Sequence, residues 1–127
     1  MLTKHVAFTT APIVLPPVEL PSLEIGACVE FQGIVREIEG TELLSGLHYE
    51  AYEVMAVRHL HRLFDEIANR EACASVTFIH RLGWVPVQET SLFLRVLAAH
   101  RGPALRFCAE AIDRMKADVP IWKVARA

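Results

Sequence analysis

Residues 91–120 read SLFLRVLAAHRGPALRFCAEAIDRMKADVP, a strongly apolar run followed at once by a helical pattern. The apolar run at 91–99 predicts a central β-strand with both faces covered. Gly102-Pro103 favours the start of a helix, because a proline in the first turn needs no partner for an N–H group. Apolar residues at steps of three and four continue this helix until Asp118-Val119-Pro120 ends it.

Outward from this unit, the rest of the chain shows the same two patterns. Alternating apolar and polar residues predict strands at 4–9, 26–33, 47–52 and 74–82. Residues 53–70 show helical spacing, and the side chains expected in its buried stripe are Ala56, Leu60, Leu63, Phe64 and Ile67. The order is strands, helix, strands, helix.

Three segments carry weaker signals. Residues 12–15 suggest a short extended piece between prolines, and residues 37–46 contain two glycines without periodicity, which predicts a loop. Gly83-Trp84-Val85-Pro86 breaks the strand pattern and is expected to turn the chain. We therefore predict one α+β domain, residues 1–127, with two long helices on one face of a mostly antiparallel sheet.

Composition limits the classes of function. The formal net charge is −2 and the pI is near 6.3, which argues against a nucleic-acid binder that relies on bulk positive charge. Residues 100–127 nevertheless hold six basic and three acidic side chains, so this part carries +3 and the remainder −5. A local anion-binding site on an acidic protein is therefore expected in the last quarter of the chain.

Three widely spaced cysteines, Cys28, Cys73 and Cys108, include no C-x-x-C pair. An odd number of separated cysteines is typical of reduced thiols that serve as packing residues in a cytosolic protein. The N-terminal apolar run is interrupted by three prolines, which argues against a signal peptide or a membrane span. The sequence therefore predicts a cytoplasmic protein.

Several catalytic signatures are absent, among them the phosphate-binding G-x-x-x-x-G-K-[ST], G-x-G-x-x-G, H-E-x-x-H and G-x-S-x-G. What remains is a set of cationic groups at the ends of predicted elements. Such groups can bind phosphate or carboxylate, and a partly desolvated lysine can serve as an acid, a base or a nucleophile. Each alone could equally be a solvated surface residue. The set comprises Arg36, Arg81, His100, Arg101, Lys116 and Lys123.

The spacing of this set has a geometric consequence. Arg101 and Lys116 lie 15 positions apart on one predicted helix, which separates their backbones by roughly 20 Å. A small anion cannot meet both groups of one chain. If both serve one pocket, a second copy of the protein must supply one of them, and we therefore predict a symmetric homodimer with composite sites.

Six motifs in order, from about Gly26 to Lys123, closely resemble the large, catalytic subunit of molybdopterin synthase. Any one of them is weak, but their order and spacing together are specific. They are Phe31-Gln32-Gly33-Ile34-Val35-Arg36, Leu47-His48-Tyr49-Glu50-Ala51-Tyr52 with Met55-Ala56, Ile79-His80-Arg81-Leu82-Gly83, Ala99-His100-Arg101, Ile112-Asp113 with Lys116, and Pro120-Ile121-Trp122-Lys123.

This resemblance implies an α/β hammerhead with a small antiparallel subdomain and a sulfurtransferase of molybdenum cofactor biosynthesis. Sulfur would arrive as a thiocarboxylate on the C-terminal Gly-Gly tail of a small ubiquitin-like subunit. The acceptor would be cyclic pyranopterin monophosphate, which becomes the dithiolene of molybdopterin. The implied assembly is a heterotetramer built on a homodimer of the large subunit, with no metal, cofactor, nucleic acid or membrane involved.

The resemblance also implies roles for individual residues. Lys116 would be the principal catalytic group and Lys123 a secondary cation. Arg36, with His100 and Arg101 from the partner protomer, would hold the substrate phosphate. The implied substrate-binding set is Ile34, Val35, Arg36, His100, Arg101, Lys116, Lys123, Val124 and Ala125.

Two positions depart from the family pattern. After Lys123 the family usually continues with further basic and acidic residues, whereas here Val124-Ala125-Arg126-Ala127 follows. Gln88 stands where a glycine is common. The first departure leaves open an alternative, a binding module that keeps the groove for the Gly-Gly tail but has reduced turnover. A binder of phosphate metabolites without a protein partner is a third possibility.

Overall fold

The computed structural model describes residues 1–126, with side chains described as far as Lys123. It contains two long helices, and nine strands lie before, between and after them. In chain order the elements are β1 (Thr3–Thr9), β2 (Ala27–Ile34), β3 (Ile38–Glu39), β4 (Glu42–Leu43), β5 (Gly46–Ala51), α1 (Glu53–Ala68), β6 (Ser75–Arg81), β7 (Gly83–Pro86), β8 (Thr90–Ala98), α2 (Arg101–Asp118) and β9 (Ile121–Arg126).

The larger sheet has four strands in the order β1-β6-β8-β2. β8 is central, as its apolar sequence predicts, and it runs antiparallel to both neighbours, with Val96 opposite Val29 on one side and Val76 on the other. β1 joins the far edge in parallel with β6. The sheet is therefore mostly antiparallel, and β2 forms its second edge.

Both helices pack on the same face of this sheet. The buried stripe of α1 is the predicted one, and α2 buries Ala104, Phe107, Cys108, Ala111 and Met115 in the same core. The facing sheet residues include Val76, Phe78 and Leu94, all at most 2% exposed. These positions confirm the predicted α+β class, with two helices on one face of the sheet.

The opposite face of the sheet is covered by the proline-rich segment 10–25. Arg95, 6% exposed, donates from Nε to Glu30 at 2.6 Å and from Nη1 to the Pro17 carbonyl at 3.3 Å. Phe93, on the same face, is fully buried. Residues 12–15, expected to form a short extended piece, lie in no strand, since Pro12, Pro16 and Pro17 lack the N–H groups that a strand needs for pairing.

A second sheet of three antiparallel strands, in the order β7-β5-β9, stands beside the first. The prediction that Gly83–Pro86 only turns the chain is wrong, because these residues form β7. Gly83 makes the change of direction itself, at φ +80°, a conformation that glycine adopts without strain. β9 follows Pro120 and pairs with β5; periodicity alone did not indicate this strand.

The segment 37–46, predicted to be a loop, contains a minimal hairpin. Strands β3 and β4 have two residues each and pair antiparallel, with Gly40 at φ +63° between them. Strands this short leave no periodic signal in a sequence. The hairpin places Glu39 close to β9, and this position matters for the site.

Candidate functional site

A cavity of about 680 Å³ lies where the two sheets and the end of α2 meet. The C-terminal end of β2, the strands β5 and β6, and the first residues of β8 contribute to its lining. α2 and β9 contribute the lysines. The cavity is lined by Phe31, Gln32, Gly33, Ile34, Val35, Arg36, Glu39, Leu47, Tyr49, His80, Ser91, Leu92, Met115, Lys116, Ile121, Trp122 and Lys123.

Arg36 follows the strand end that its sequence context predicts. The ladder between β2 and β8 is irregular at Gly33/Ile34, and beyond it Val35 is held by its backbone. Its N–H donates to Glu89 O at 3.1 Å, and its carbonyl accepts from Gln88 N–H at 2.8 Å. Val35 is 3% exposed. A fixed, buried neighbour therefore presents the exposed Arg36 at the cavity.

Lys116 lies in the last turn of α2, one residue after the buried Met115. Its side chain is exposed and has no ion-pair partner among the described residues. The partial negative charge at the carbonyl end of the helix stabilises a cation at this position. The partial desolvation considered in the sequence argument is therefore not present at Lys116 in the single chain.

Lys123 lies on β9 and contacts the β3–β4 hairpin. Its Nζ is 2.6 Å from Glu39 Oε1, and the two side chains are 42% and 23% exposed. A carboxylate of this chain thus sits beside one of the two lysines at which an anionic substrate is expected. Local sequence patterns did not indicate this pair, since 84 positions separate the two residues.

His80 is a cavity residue that the sequence analysis quoted only within a motif. It ends the helix-facing side of β6 and is 4% exposed. Burial lowers the pKa of its imidazole, although the hydrogen bond to Arg81 O opposes this shift. One sequence feature could have indicated His80 as a site residue: it continues the row of buried apolar positions along β6.

The predicted set does not meet within one chain. His100 and Arg101 lie at the N-terminal end of α2, in a separate depression beside Gly26 and Pro103. Lys116 lies 15 residues further along the same helix, which places it about 22 Å away. Val124 and Ala125 continue β9, but their side chains lie outside the described residues.

Other basic residues have structural partners. Arg106 pairs with Glu71, and Arg114 pairs with Glu66, which joins α2 to α1. Arg81, considered above as a solvated strand end, is buried and donates to Glu89 at 2.7 Å. Part of the basic character of the last quarter therefore serves to dock the two helices.

The three cysteines are free thiols. Cys108 is buried, Cys73 is half-buried, and Cys28 is exposed, so the packing role expected for all three is wrong for Cys28. Burial raises the pKa of Cys73 to about 11 and is the largest cause of the raised pKa values of the other two. None of them is a ready thiolate at neutral pH.

Metal-binding clusters and membrane-spanning helices are both absent from the described residues. No group of three or more His, Cys, Asp or Glu side chains there could hold a metal ion. Within the same part of the chain, neither helix is long and apolar enough to cross a membrane.

Several known proteins are similar to this chain in sequence and in fold. The family model described as MoaE protein matches residues 8–118. A molybdopterin synthase catalytic subunit of Drosophila mojavensis is 42% identical over 77% of this chain. One of Oryza sativa subsp. indica is 40% identical over 80% of it. The chain spans 27% and 52% of the lengths of these two relatives.

A solved structure agrees with the sequence comparisons. The crystal structure of molybdopterin synthase from Staphylococcus aureus matches with a TM-score of 0.80 at 30% identity, covering 91% of this chain and 86% of that one. The chain belongs to the MoaE protein family.

Proposed function

We propose that this chain is the catalytic subunit of a molybdopterin synthase. It takes sulfur from the C-terminal thiocarboxylate of a small ubiquitin-like subunit and transfers it to cyclic pyranopterin monophosphate, which becomes the dithiolene. The observation that carries the proposal is the single cavity that gathers Arg36, Lys116 and Lys123. Its cations match the charges of a phosphate and a thiocarboxylate.

In the proposed reaction, the small subunit supplies the sulfur. Each transfer forms a carbon–sulfur bond to the substrate, releases one substrate oxygen, and leaves the tail as an ordinary carboxylate once water cleaves the thioester. The departing oxygen needs a proton, and Lys116 supplies it as an ammonium; the amine that remains can accept a proton from the attacking water. Lys123 stabilises the negative charge that develops. The raised pKa values of the cysteines support a route without a thiol of this chain.

The position of β2 supports a homodimer with composite sites. β2 is an edge strand, with His100 and Arg101 near its first residues and Arg36 just past its last. Antiparallel pairing of two copies of β2 would place the His100-Arg101 pair of the partner protomer beside Arg36 and Lys116 of the first. The phosphate would then be held by Arg36 together with the partner protomer's pair.

One side of α2 offers a surface for this contact. Arg114 pairs with Glu66 on α1, and Arg106 pairs with Glu71 just after α1. The other side of α2 carries the exposed Leu105 and Ala109 and the partly buried Ile112. Leu105 is 54% exposed, and Lys116 lies at the end of the same side. Two copies related by a two-fold axis would cover this apolar stripe and desolvate Lys116. A heterotetramer in the cytoplasm, with one small subunit at each site, completes the proposal.

The catalytic assignment is tested with the thiocarboxylated small subunit and the pyranopterin phosphate. We expect Lys116→Ala to lower the rate of dithiolene formation by about 10²- to 10⁴-fold, the range for loss of a general acid. Arg58→Ala is the matched control, since Arg58 is an exposed cation on α1 away from the cavity. Equal rates for Lys116→Ala and wild type would disprove the assignment. Normal binding of the tail without product from the wild type would favour the binding module instead.

The composite site is tested by mixing two inactive variants, Arg101→Ala and Lys116→Ala. A mixed dimer has one site in which both residues are intact, so random exchange should restore about a quarter of the wild-type sites. Each variant incubated alone should stay inactive. No recovery after exchange, with mixed dimers verified by mass, would show that both residues act within one chain or in no common site.

A further inference from the structure

We propose that His80 is a specificity-determining residue of the cavity, whose Nε2 accepts a hydrogen bond from an N–H or O–H group of the substrate's ring system. This inference rests on the proposed function and adds a residue to it. His80 is 4% exposed and lines the cavity, whose cations Arg36 and Lys116 are exposed. Its ring packs edge-on against Tyr49, with centroids 5.0 Å apart, and lies tilted against Phe78 at 6.2 Å.

The hydrogen-bond geometry fixes the tautomer. Nδ1 of His80 lies 2.7 Å from the carbonyl oxygen of Arg81. A carbonyl oxygen can only accept, so Nδ1 must carry the hydrogen. Burial disfavours a second proton on the ring and lowers its pKa. Nε2 therefore carries a lone pair and acts only as an acceptor.

The acceptor is unused and open to the cavity. Nε2 of His80 makes no hydrogen bond with any residue in the described part of the chain. Within that same part, Arg81 Nε is the one fully buried side-chain nitrogen or oxygen that lacks a partner. Nε2 of His80 consequently keeps some surface, and the cavity that His80 lines is the space it faces.

The other cavity groups do not offer the same acceptor. Arg36, Lys116 and Lys123 are donors that suit anions. The Gln32 carbonyl oxygen already accepts from Thr90 at 2.8 Å, and Glu39 Oε1 accepts from Lys123 at 2.6 Å. The hydroxyls of Ser91 and Tyr49 can donate as well as accept. A phosphate and a thiocarboxylate need only donors, whereas the N–H groups of a reduced pterin need an acceptor.

Among the described residues, His80 therefore adds what the cations cannot supply. Its lone pair distinguishes a nitrogen heterocycle from a simple phosphate ester. This is the kind of discrimination that a buried, oriented polar group provides.

The test compares His80→Asn with the wild type in the complex with the small subunit. The amide nitrogen of asparagine can take the place of Nδ1 and still donate to Arg81 O, but nothing replaces Nε2. We expect the KM for the pyranopterin phosphate to rise about tenfold with little change in kcat, as for one lost hydrogen bond. Binding of inorganic phosphate should not change. An unchanged KM would overturn the proposal.

A second measurement uses the wild type alone, so that a poorly folding variant cannot obscure the result. The ¹⁵N resonance of His80 should show the Nδ1–H tautomer, and the Nε2 signal should move toward lower shift when the pyranopterin phosphate is added. Another tautomer, or no movement at saturation, would refute the role. If the wild type binds no pyranopterin at all, the proposed function fails; if it binds and Nε2 does not respond, only this inference fails.

Discussion

Gln88 offers a direct test of how the turn before β8 is built. Glu89 N–H donates to Pro86 O at 3.2 Å, which closes a four-residue turn with Gln88 in third position. Gln88 has φ +73° and is the one described residue other than glycine with a positive φ. A turn of this kind favours glycine at the third position, because a Cβ is strained there. The common glycine of the family thus has a structural reason.

The expected gain from Gln88→Gly follows from this geometry. The left-handed conformation costs a residue with a Cβ about 1–2 kcal/mol, and part of that gain is lost because glycine makes the unfolded chain more flexible. The side chain of Gln88 is exposed and no contact of it is lost. The N–H that donates to Val35 O at 2.8 Å is kept. We expect a net stabilisation of about 1 kcal/mol, or a rise in Tm of about 4 °C for a domain of this size.

Urea unfolding followed by circular dichroism gives the free energy, with thermal melting as a second measure. Gln88→Ala is the matched control, since alanine keeps the Cβ and should leave stability within about 0.3 kcal/mol of wild type. Gln88→Pro should destabilise strongly, because proline neither reaches φ +73° nor donates to Val35. If Gln88→Gly is no more stable than Gln88→Ala, backbone strain at this turn is not the reason for the family's glycine.

Three further perturbations test the site. Glu39→Gln removes the carboxylate beside Lys123, so we expect several-fold tighter binding of the pyranopterin phosphate with little change in stability, since both side chains are partly exposed to solvent; weaker binding in a titration would contradict this. The lowered pKa of His80 means that the unfolded ring takes up a proton near pH 6.5 and below while the folded ring resists it. The free energy of unfolding should therefore fall as the pH drops below 6.5, and His80→Gln should flatten that slope in urea melts. Cys28→Ser should leave the rate of sulfur transfer unchanged, and a lost rate would implicate a thiol of this chain.

The core of the fold could be predicted because each of its elements is long enough to repeat its pattern. The apolar pattern of α1 repeats over about four helical turns. β8 is apolar on both faces because the helices cover one face and the proline-rich segment covers the other. The second sheet was harder to predict from the sequence. β7 has four residues and its direction depends on one φ angle at Gly83, while β9 pairs with a strand that lies 70 positions earlier in the chain. Such pairings are long-range, and local periodicity does not encode them.

The site residues also fall into two groups, those that the sequence could indicate and those that it could not. Motifs and order place Arg36, Lys116 and Lys123 at element ends, and the cavity does bring these three positions together. The sequence did not indicate Glu39 or His80 as site residues. Glu39 reaches Lys123 only because a hairpin of two-residue strands folds back, and the role proposed for His80 depends on which of its ring nitrogens is hydrogen-bonded. Residue type and spacing carry neither kind of information.

The length of α2 connects folding to the proposed activity. The helix begins at the end of the central strand and ends at β9, so the geometry that completes the core also holds His100-Arg101 about 22 Å from Lys116. One chain can therefore fold around its own core and still lack a complete set of cations at either end. A two-fold pairing along β2 and α2 would give two full sets at once, each desolvated by the contact that creates it. Stability and catalysis would then depend on different interfaces, the first within the chain and the second between chains.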